Sequence, residues 1–269
     1  MPNLYATLQE FKDFATSRGQ TATTSTTDDA VILHLLSSAS RYIEGKTARQ
    51  FYPTVQARVY DVPEGSTLFL SGDLLEALTV TNGDATTVTS TYYILVNPNS
   101  TPYRAIALKT SSGLVWQGTS SGDTRQALTI NAIWGYRENY SSEGWKSVGT
   151  LGAAMTDTTT LTFTMTAGHT VTAQSILRID NELFNVSSVA TNTITAEKRG
   201  DNGSTAATHT SGTTVYAWQP DTRAKQATLE KVLMDYDARF GRNDTAPSPE
   251  NALPTLFELV EAMRVKYLL

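Results

Sequence analysis

The chain has 269 residues, an apolar fraction of 40% and a formal net charge of −5. This size fits one large domain or two small ones of roughly 150 residues, with enough apolar residues for a packed core. The negative balance argues against a grip on nucleic-acid phosphates, and the lack of cysteine rules out disulfides, thiolate zinc sites and a cysteine nucleophile.

In chain order, Met1 to Glu10 lacks a basic region followed by an apolar run, so no secretory signal is expected. No stretch approaches the roughly 18 apolar residues of a membrane span, and no membrane partner is expected. Thr7-Leu8-Gln9-Glu10 fits a capping box, with Leu8, Phe11, Phe14 and Ala15 on one helical face and Gly19 as the stop. A polar loop, Thr21 to Thr27, follows. Asp28 and Asp29 suit the start of a second helix. Its buried stripe is Ile32, Leu35, Leu36, Ala39, Tyr42 and Ile43, and it ends near Gly45.

After Phe51-Tyr52-Pro53 the pattern becomes that of antiparallel strands. Strands are expected near Ala57 to Val62, Thr67 to Leu70, Ala77 to Thr81, Tyr92 to Val96, Ala105 to Lys109, Leu114 to Trp116 and Ala127 to Trp134. Asn82-Gly83 is a strong turn signal. Leu128, Ile130, Ala132 and Trp134 alternate as in a half-buried strand.

Gly135 to Gly152 reads as a polar connection. From Thr159 a Thr-rich β segment begins, with strands near Leu161 to Met165, Ile176 to Ile179, Leu183 to Val186, Thr193 to Ala196 and Thr213 to Ala217. Asp180-Asn181 reads as a tight hairpin turn. This segment is close to the lower size limit for independent folding and suggests a small β-barrel or sandwich-like module. The chain then returns to helix. Asp221 is the expected cap, and Leu229, Val232, Leu233, Tyr236 and Phe240 form the apolar face, with Gly241 as the stop. A loop from Asn243 to Asn251 precedes a last helix with Pro254 in its first turn.

The fold class expected is therefore α+β. Helices from both ends form a bundle beside an antiparallel β domain, and residues 150–218 are an inserted β module between two parts of a core, 1–149 and 219–269.

The chemistry-bearing residues are sparse. The three histidines, His34, His169 and His209, are isolated in sequence and match no metal pattern. His34 is expected to be a structural helix residue, and the other two to be surface residues. There is no Gly-x-Ser-x-Gly elbow and no Gly-rich phosphate loop. Asp28, Asp29, Asp61 and Asp73 are better explained by capping and turns than by acid–base chemistry. Arg199, Gly200, Asp201 and Asn202 are expected at an exposed loop tip of the module. Trp116, Trp134, Trp145 and Trp218 invite comparison with a sugar-binding platform, although Trp134 fits a core strand better. No enzyme activity, metal or cofactor is expected.

Several stretches resemble known proteins. The helix pair followed by Arg49-Gln50-Phe51-Tyr52-Pro53 resembles the start of head–tail connector proteins of tailed bacteriophages, the adaptor or head-completion group. Leu68-Phe69-Leu70 through Asp73-Leu74-Leu75, Thr81-Asn82-Gly83, Tyr92-Tyr93, Pro102-Tyr103 and Ile133-Trp134-Gly135-Tyr136 are similar to the β portion of phage neck proteins. Ile179-Asp180-Asn181-Glu182 through Lys198-Arg199-Gly200, and Asn202 to Ala206 with His209, are similar to a β module of phage structural proteins. The inserted module departs from the compact members of the adaptor group.

The resemblance implies a subunit of a homo-oligomeric ring, commonly a dodecamer, docked on the portal protein. It would connect head to tail, meet a tail-completion, stopper or tail protein, and let DNA pass through its lumen without specific binding. Such a protein is made in the host bacterial cytoplasm and ends in the virion. The apolar C-terminus gives candidate portal-docking residues: Met263, Val265, Tyr267, Leu268 and Leu269. The alternatives are a tail-completion or neck-decoration protein, or a host- or glycan-binding protein acting through the β module. A glycan hydrolase would need paired acids in a cleft.

Overall fold

The computed structural model describes residues 3–19, 26–240 and 249–264, and the side chains of all of these except 249–255. The protein is α+β, with two antiparallel sheets and, among the described residues, five α-helices. The chain divides into two compact units. One comprises Met1–Tyr52, Trp145–Asp201 and Thr205–Leu269, and the other Pro53–Gly144 with Asn202–Ser204. Most of 150–218 falls in the unit that holds the terminal helices, and Asn202–Ser204 falls in the other.

In the first unit, helix α1 (Leu8–Ser17) starts at a complete capping box. Glu10 N–H donates to the Thr7 hydroxyl, and Thr7 N–H donates to the Glu10 carboxylate at 2.8 Å. Helix α2 (Asp29–Thr47) runs two residues beyond Gly45 and is capped by Ala48 in the left-handed region. Helix α4 (Thr222–Phe240) opens at Asp221, whose carboxylate accepts from Arg223 N–H at 3.0 Å. Phe11, Ala15, Ile32, Leu36, Ala39, Leu229, Val232, Leu233 and Tyr236 interlock as one buried cluster. Leu35 is half-buried and packs against this cluster, whereas Tyr42 and Phe240 are exposed. Helix α5 (Pro249–Met263) packs on α4 and α2. It begins earlier than the expected loop to Asn251 allows. Residues 21–25 of the expected polar loop and the stop at Gly241 lie outside the described residues. No helix among the described residues is long and apolar enough to cross a membrane.

The same unit holds a six-stranded sheet. Its strands are β6 (Trp145–Thr150), β7 (Thr162–Thr164), β8 (Ile176–Ile179), β9 (Glu182–Ala190), β10 (Thr193–Ala196) and β11 (Thr214–Trp218), in the order β6-β11-β8-β9-β10-β7. Its margins meet only at an isolated bridge between Leu151 and Met165, with Gly152 N–H donating to Thr164 O and Thr166 N–H to Thr150 O. The sheet is therefore curled but is not a closed barrel. Leu151, Phe163, Met165, Leu177, Ile179, Phe184, Ile194 and Val215 fill its inner face.

The second unit holds a five-stranded sheet. Its strands are β1 (Thr54–Tyr60), β2 (Thr67–Thr81), β3 (Tyr93–Leu95), β4 (Tyr103–Leu108) and β5 (Leu128–Trp134), in the order β1-β5-β2-β4-β3. The short helix α3 (Tyr140–Glu143) follows. Two expected strands are one here: β2 runs through Ser71-Gly72-Asp73, where the pairing register shifts between Phe69 and Leu74. That irregularity bends the strand without ending it. Leu114 to Trp116 is not a strand. Trp116 is buried as a loop residue, and its indole N–H donates to Ser66 O at 2.8 Å. The Asn82-Gly83 turn is present, and Asn82 Oδ1 accepts from Gly83 N–H and Gln117 N–H. A Cβ on Gly83 would meet the Gln117 carbonyl oxygen at 2.3 Å, so only glycine fits there.

Candidate functional site

The most organised polar constellation grows from the β8–β9 hairpin. Ile179 pairs with Glu182 across the two-residue turn Asp180-Asn181, and Asp180 takes the left-handed φ of 52° that such a turn requires. Arg178 locks the turn: its Nε donates to Asp180 O at 2.8 Å and its Nη2 to Asn181 Oδ1 at 3.1 Å.

The turn places Glu182 at the start of β9 with a fully buried side chain. A lone carboxylate there would carry a large desolvation cost, so it needs partners. It has five. Arg199 donates in a fork, Nε to Oε1 at 2.9 Å and Nη2 to Oε2 at 3.0 Å. Gly200 N–H and Ala207 N–H donate at 2.8 and 2.9 Å, and His209 Nε2 lies 2.9 Å from Oε2.

Arg199 also donates to the carbonyls of Asp157, Thr160 and Ala207. One ion pair thus ties three chain segments together. The other ring nitrogen of His209, Nδ1, lies 2.8 Å from Asp180 Oδ2. A neutral ring donates to one of these carboxylates, and a protonated ring donates to both.

Two expectations are corrected by this cluster. Arg199 and Asp201 are not at an exposed tip: the Arg199 side chain is 4% exposed, and Asp201 is buried, accepting from Asn185 Nδ2 at 2.7 Å and pairing with Lys198 at 3.0 Å. Gly200 and Asn202 are half-buried. The physical reason is Glu182, which recruits the Arg199 guanidinium inward. His209 is likewise buried, not a surface residue. His169 is partly exposed, and its Nε2 lies 2.8 Å from Thr191 O; His34 is exposed.

Burial pushes the Glu182 carboxyl up, but hydrogen bonds from Arg199, Ala207, His209 and Gly200 outweigh it and hold the carboxyl below its ordinary 4.5. A carboxyl depressed in the folded state stabilises the fold above its unfolded value, and that contribution is lost as pH falls through the folded value. Acid unfolding followed by circular dichroism is therefore expected to show a loss of stability below about pH 4.5 that is shallower in Glu182→Gln. Equal slopes would remove Glu182 from the acid transition.

The outer end of the cluster opens on a cleft of about 390 Å³ lined by Trp145, Arg178, Asp180, Thr213, Thr214 and Tyr216. Strand register explains the grouping. Tyr216 pairs with Arg178 on one side and Ser147 on the other, and Trp218 pairs with Trp145. Trp145, Thr214, Tyr216 and Arg178 therefore share the face opposite the module's core. Trp145 meets the Trp218 edge at 5.1 Å, and the Arg178 guanidinium lies 5.8 Å from the Trp145 ring.

Of the candidate docking residues, Met263 is fully buried and so is not available at the surface. Val265, Tyr267, Leu268 and Leu269 lie outside the described residues. Sequence reading did not find the cluster. The one available signal was Glu182 itself, a charged residue opening the apolar run Glu182-Leu183-Phe184-Asn185-Val186. Among the described residues, no group of three or more His, Asp or Glu is arranged to hold a metal ion. No protein family, curated protein or solved structure matches the chain.

Proposed function

We propose that this chain is a structural subunit of a bacteriophage neck, which assembles as a ring on the portal and connects head to tail around a channel for DNA. The observation that carries the reading is an apolar patch on the five-stranded sheet. Phe69, Val59 and Ile94 are 77%, 54% and 48% exposed. Phe69 pairs with Ala105, Ile94 with Ala107 and Val59 with Thr129, which places all three side chains on the face opposite the core of that sheet. Val59 and Phe69 line one open cleft with Val62, Pro63 and Leu68. The apolar surface that Val59 and Phe69 share in this cleft marks an interaction face, and a ring subunit needs such a face for its neighbours. The stretches that resemble phage neck proteins lie largely in the same sheet.

In this reading the curled six-stranded sheet is a small barrel-like module inserted in the connector and turned toward tail components. Residues 265–269 contribute weak portal contacts that the ring multiplies into firm attachment. The virion is the expected location.

Phe69→Asp tests the reading. The substitution sits on an exposed position, so stability is expected to stay within about 0.5 kcal/mol of wild type. Mass photometry is expected to find the wild type in rings and the variant as monomer. Unchanged assembly of a folded Phe69→Asp protein would detach the patch from subunit contacts.

A further inference from the structure

We infer that the cleft on the outer face of β6, β11 and β8 binds a neutral saccharide. Sugars present two chemistries at once, an apolar face of C–H groups and a rim of hydroxyls that both donate and accept. The cleft offers the complement of each. Trp145 and Tyr216 supply aromatic surface, Tyr216 being 39% exposed and Trp145 partly exposed. Arg178 supplies donors, Asp180 acceptors, and Thr213 and Thr214 hydroxyls of both kinds.

Several of these polar groups remain available. The Asp180 side chain is 60% exposed and uses Oδ2 for His209, which leaves Oδ1. Among the described residues, the hydroxyls of Tyr216 and Thr214 make no hydrogen bond to protein. The cleft volume, about 390 Å³, falls within the roughly 300–1,000 Å³ of small-ligand sites.

The site is also stiff. Asp180 is held at three points: by the tight turn, by Arg178 on its carbonyl and by buried His209 on its carboxylate. Behind His209 stands the Glu182–Arg199 pair. A rigid acceptor loses little entropy on binding, which favours a ligand read by a few hydrogen bonds. The buried cluster thereby gains a role besides holding the module together.

Charge selects the ligand class. Arg178 and Asp180 balance, so the cleft has no net attraction for an anion. Nucleic acid, which also stacks on aromatic rings, would bring phosphates toward Asp180 in a protein whose formal net charge is already −5. A neutral sugar meets no such penalty.

The test is titration of the full-length protein with chitotriose, maltotriose and lactose, read by tryptophan fluorescence and calorimetry. At least one is expected to bind with a millimolar or lower Kd. Tyr216→Ala and Asp180→Asn are expected to weaken it tenfold or more, with unchanged circular dichroism. Trp145→Phe is expected to keep binding and remove most of the fluorescence change. The inference is overturned if none of the three sugars binds, or if binding survives Tyr216→Ala and Asp180→Asn. Assembly into rings is measured separately by mass, so either outcome leaves the neck reading standing or falling by itself.

Discussion

Glu182→Ala is expected to destabilise the unit containing the six-stranded sheet by about 3–5 kcal/mol, the range for breaking a buried ion pair from one side. The variant leaves the Arg199 guanidinium buried at 4% exposure without its counter-charge. It also strips the acceptor from Gly200 N–H and Ala207 N–H. These orphaned donors, each worth about 1–3 kcal/mol when buried without a partner, are part of that loss. Arg199→Met should cost less than Glu182→Ala, because the backbone donors keep their carboxylate. The double variant should be less destabilised than the sum of the two, since neither stranded charge remains. Denaturant unfolding, with hydrogen exchange followed separately over 176–217, checks this. Exchange in that segment should accelerate in Glu182→Ala. A loss below about 1 kcal/mol would mean that water replaces the glutamate.

Trp134→Ala is expected to cost the five-stranded sheet unit about 3–5 kcal/mol. Trp134 is 2% exposed, its indole N–H donates to Gln56 O at 2.8 Å, and the Arg58 guanidinium lies 4.0 Å from its ring. It pairs with Thr54 on β1 and with Leu74 on β2, so its loss is felt on both neighbours of β5. Trp134→Phe keeps most of the aromatic volume and gives up the hydrogen bond, for an expected loss of about 1–2 kcal/mol. Segment-resolved exchange over 54–60, 67–81 and 128–134 should order the three proteins as wild type, Phe and Ala. Equal protection in all three would show that β5 is held by its ladder alone.

Local signals carried much of the fold. The Thr7–Glu10 box, the Asp180-Asn181 turn and the helical stripes of Ile32, Leu36 and Leu229 depend on neighbours a few residues apart, and each is found where the pattern places it. Non-local features were not legible. Strand β6 carries no clear strand pattern, because Trp145-Lys146-Ser147-Val148-Gly149-Thr150 has only two large apolar residues and the bulge at Val148 breaks their alternation. Ser71-Gly72-Asp73 looks like a turn and is a bend within one strand. Glu182 and Arg199 stand 17 residues apart, and Glu182 and His209 stand 27 apart. No spacing rule joins residues that meet only through a hairpin and a returning loop. Trp145 had no assignment in sequence, and pairing with Trp218 is what gives it a place.

Under the proposal above, the chain assembles on a portal as a ring. Electron microscopy of the purified protein mixed with portal protein tests it most directly. Closed rings with a central channel are expected, seated coaxially on the portal and absent with Phe69→Asp. A folded wild-type chain that stays monomeric and leaves the portal bare would contradict it.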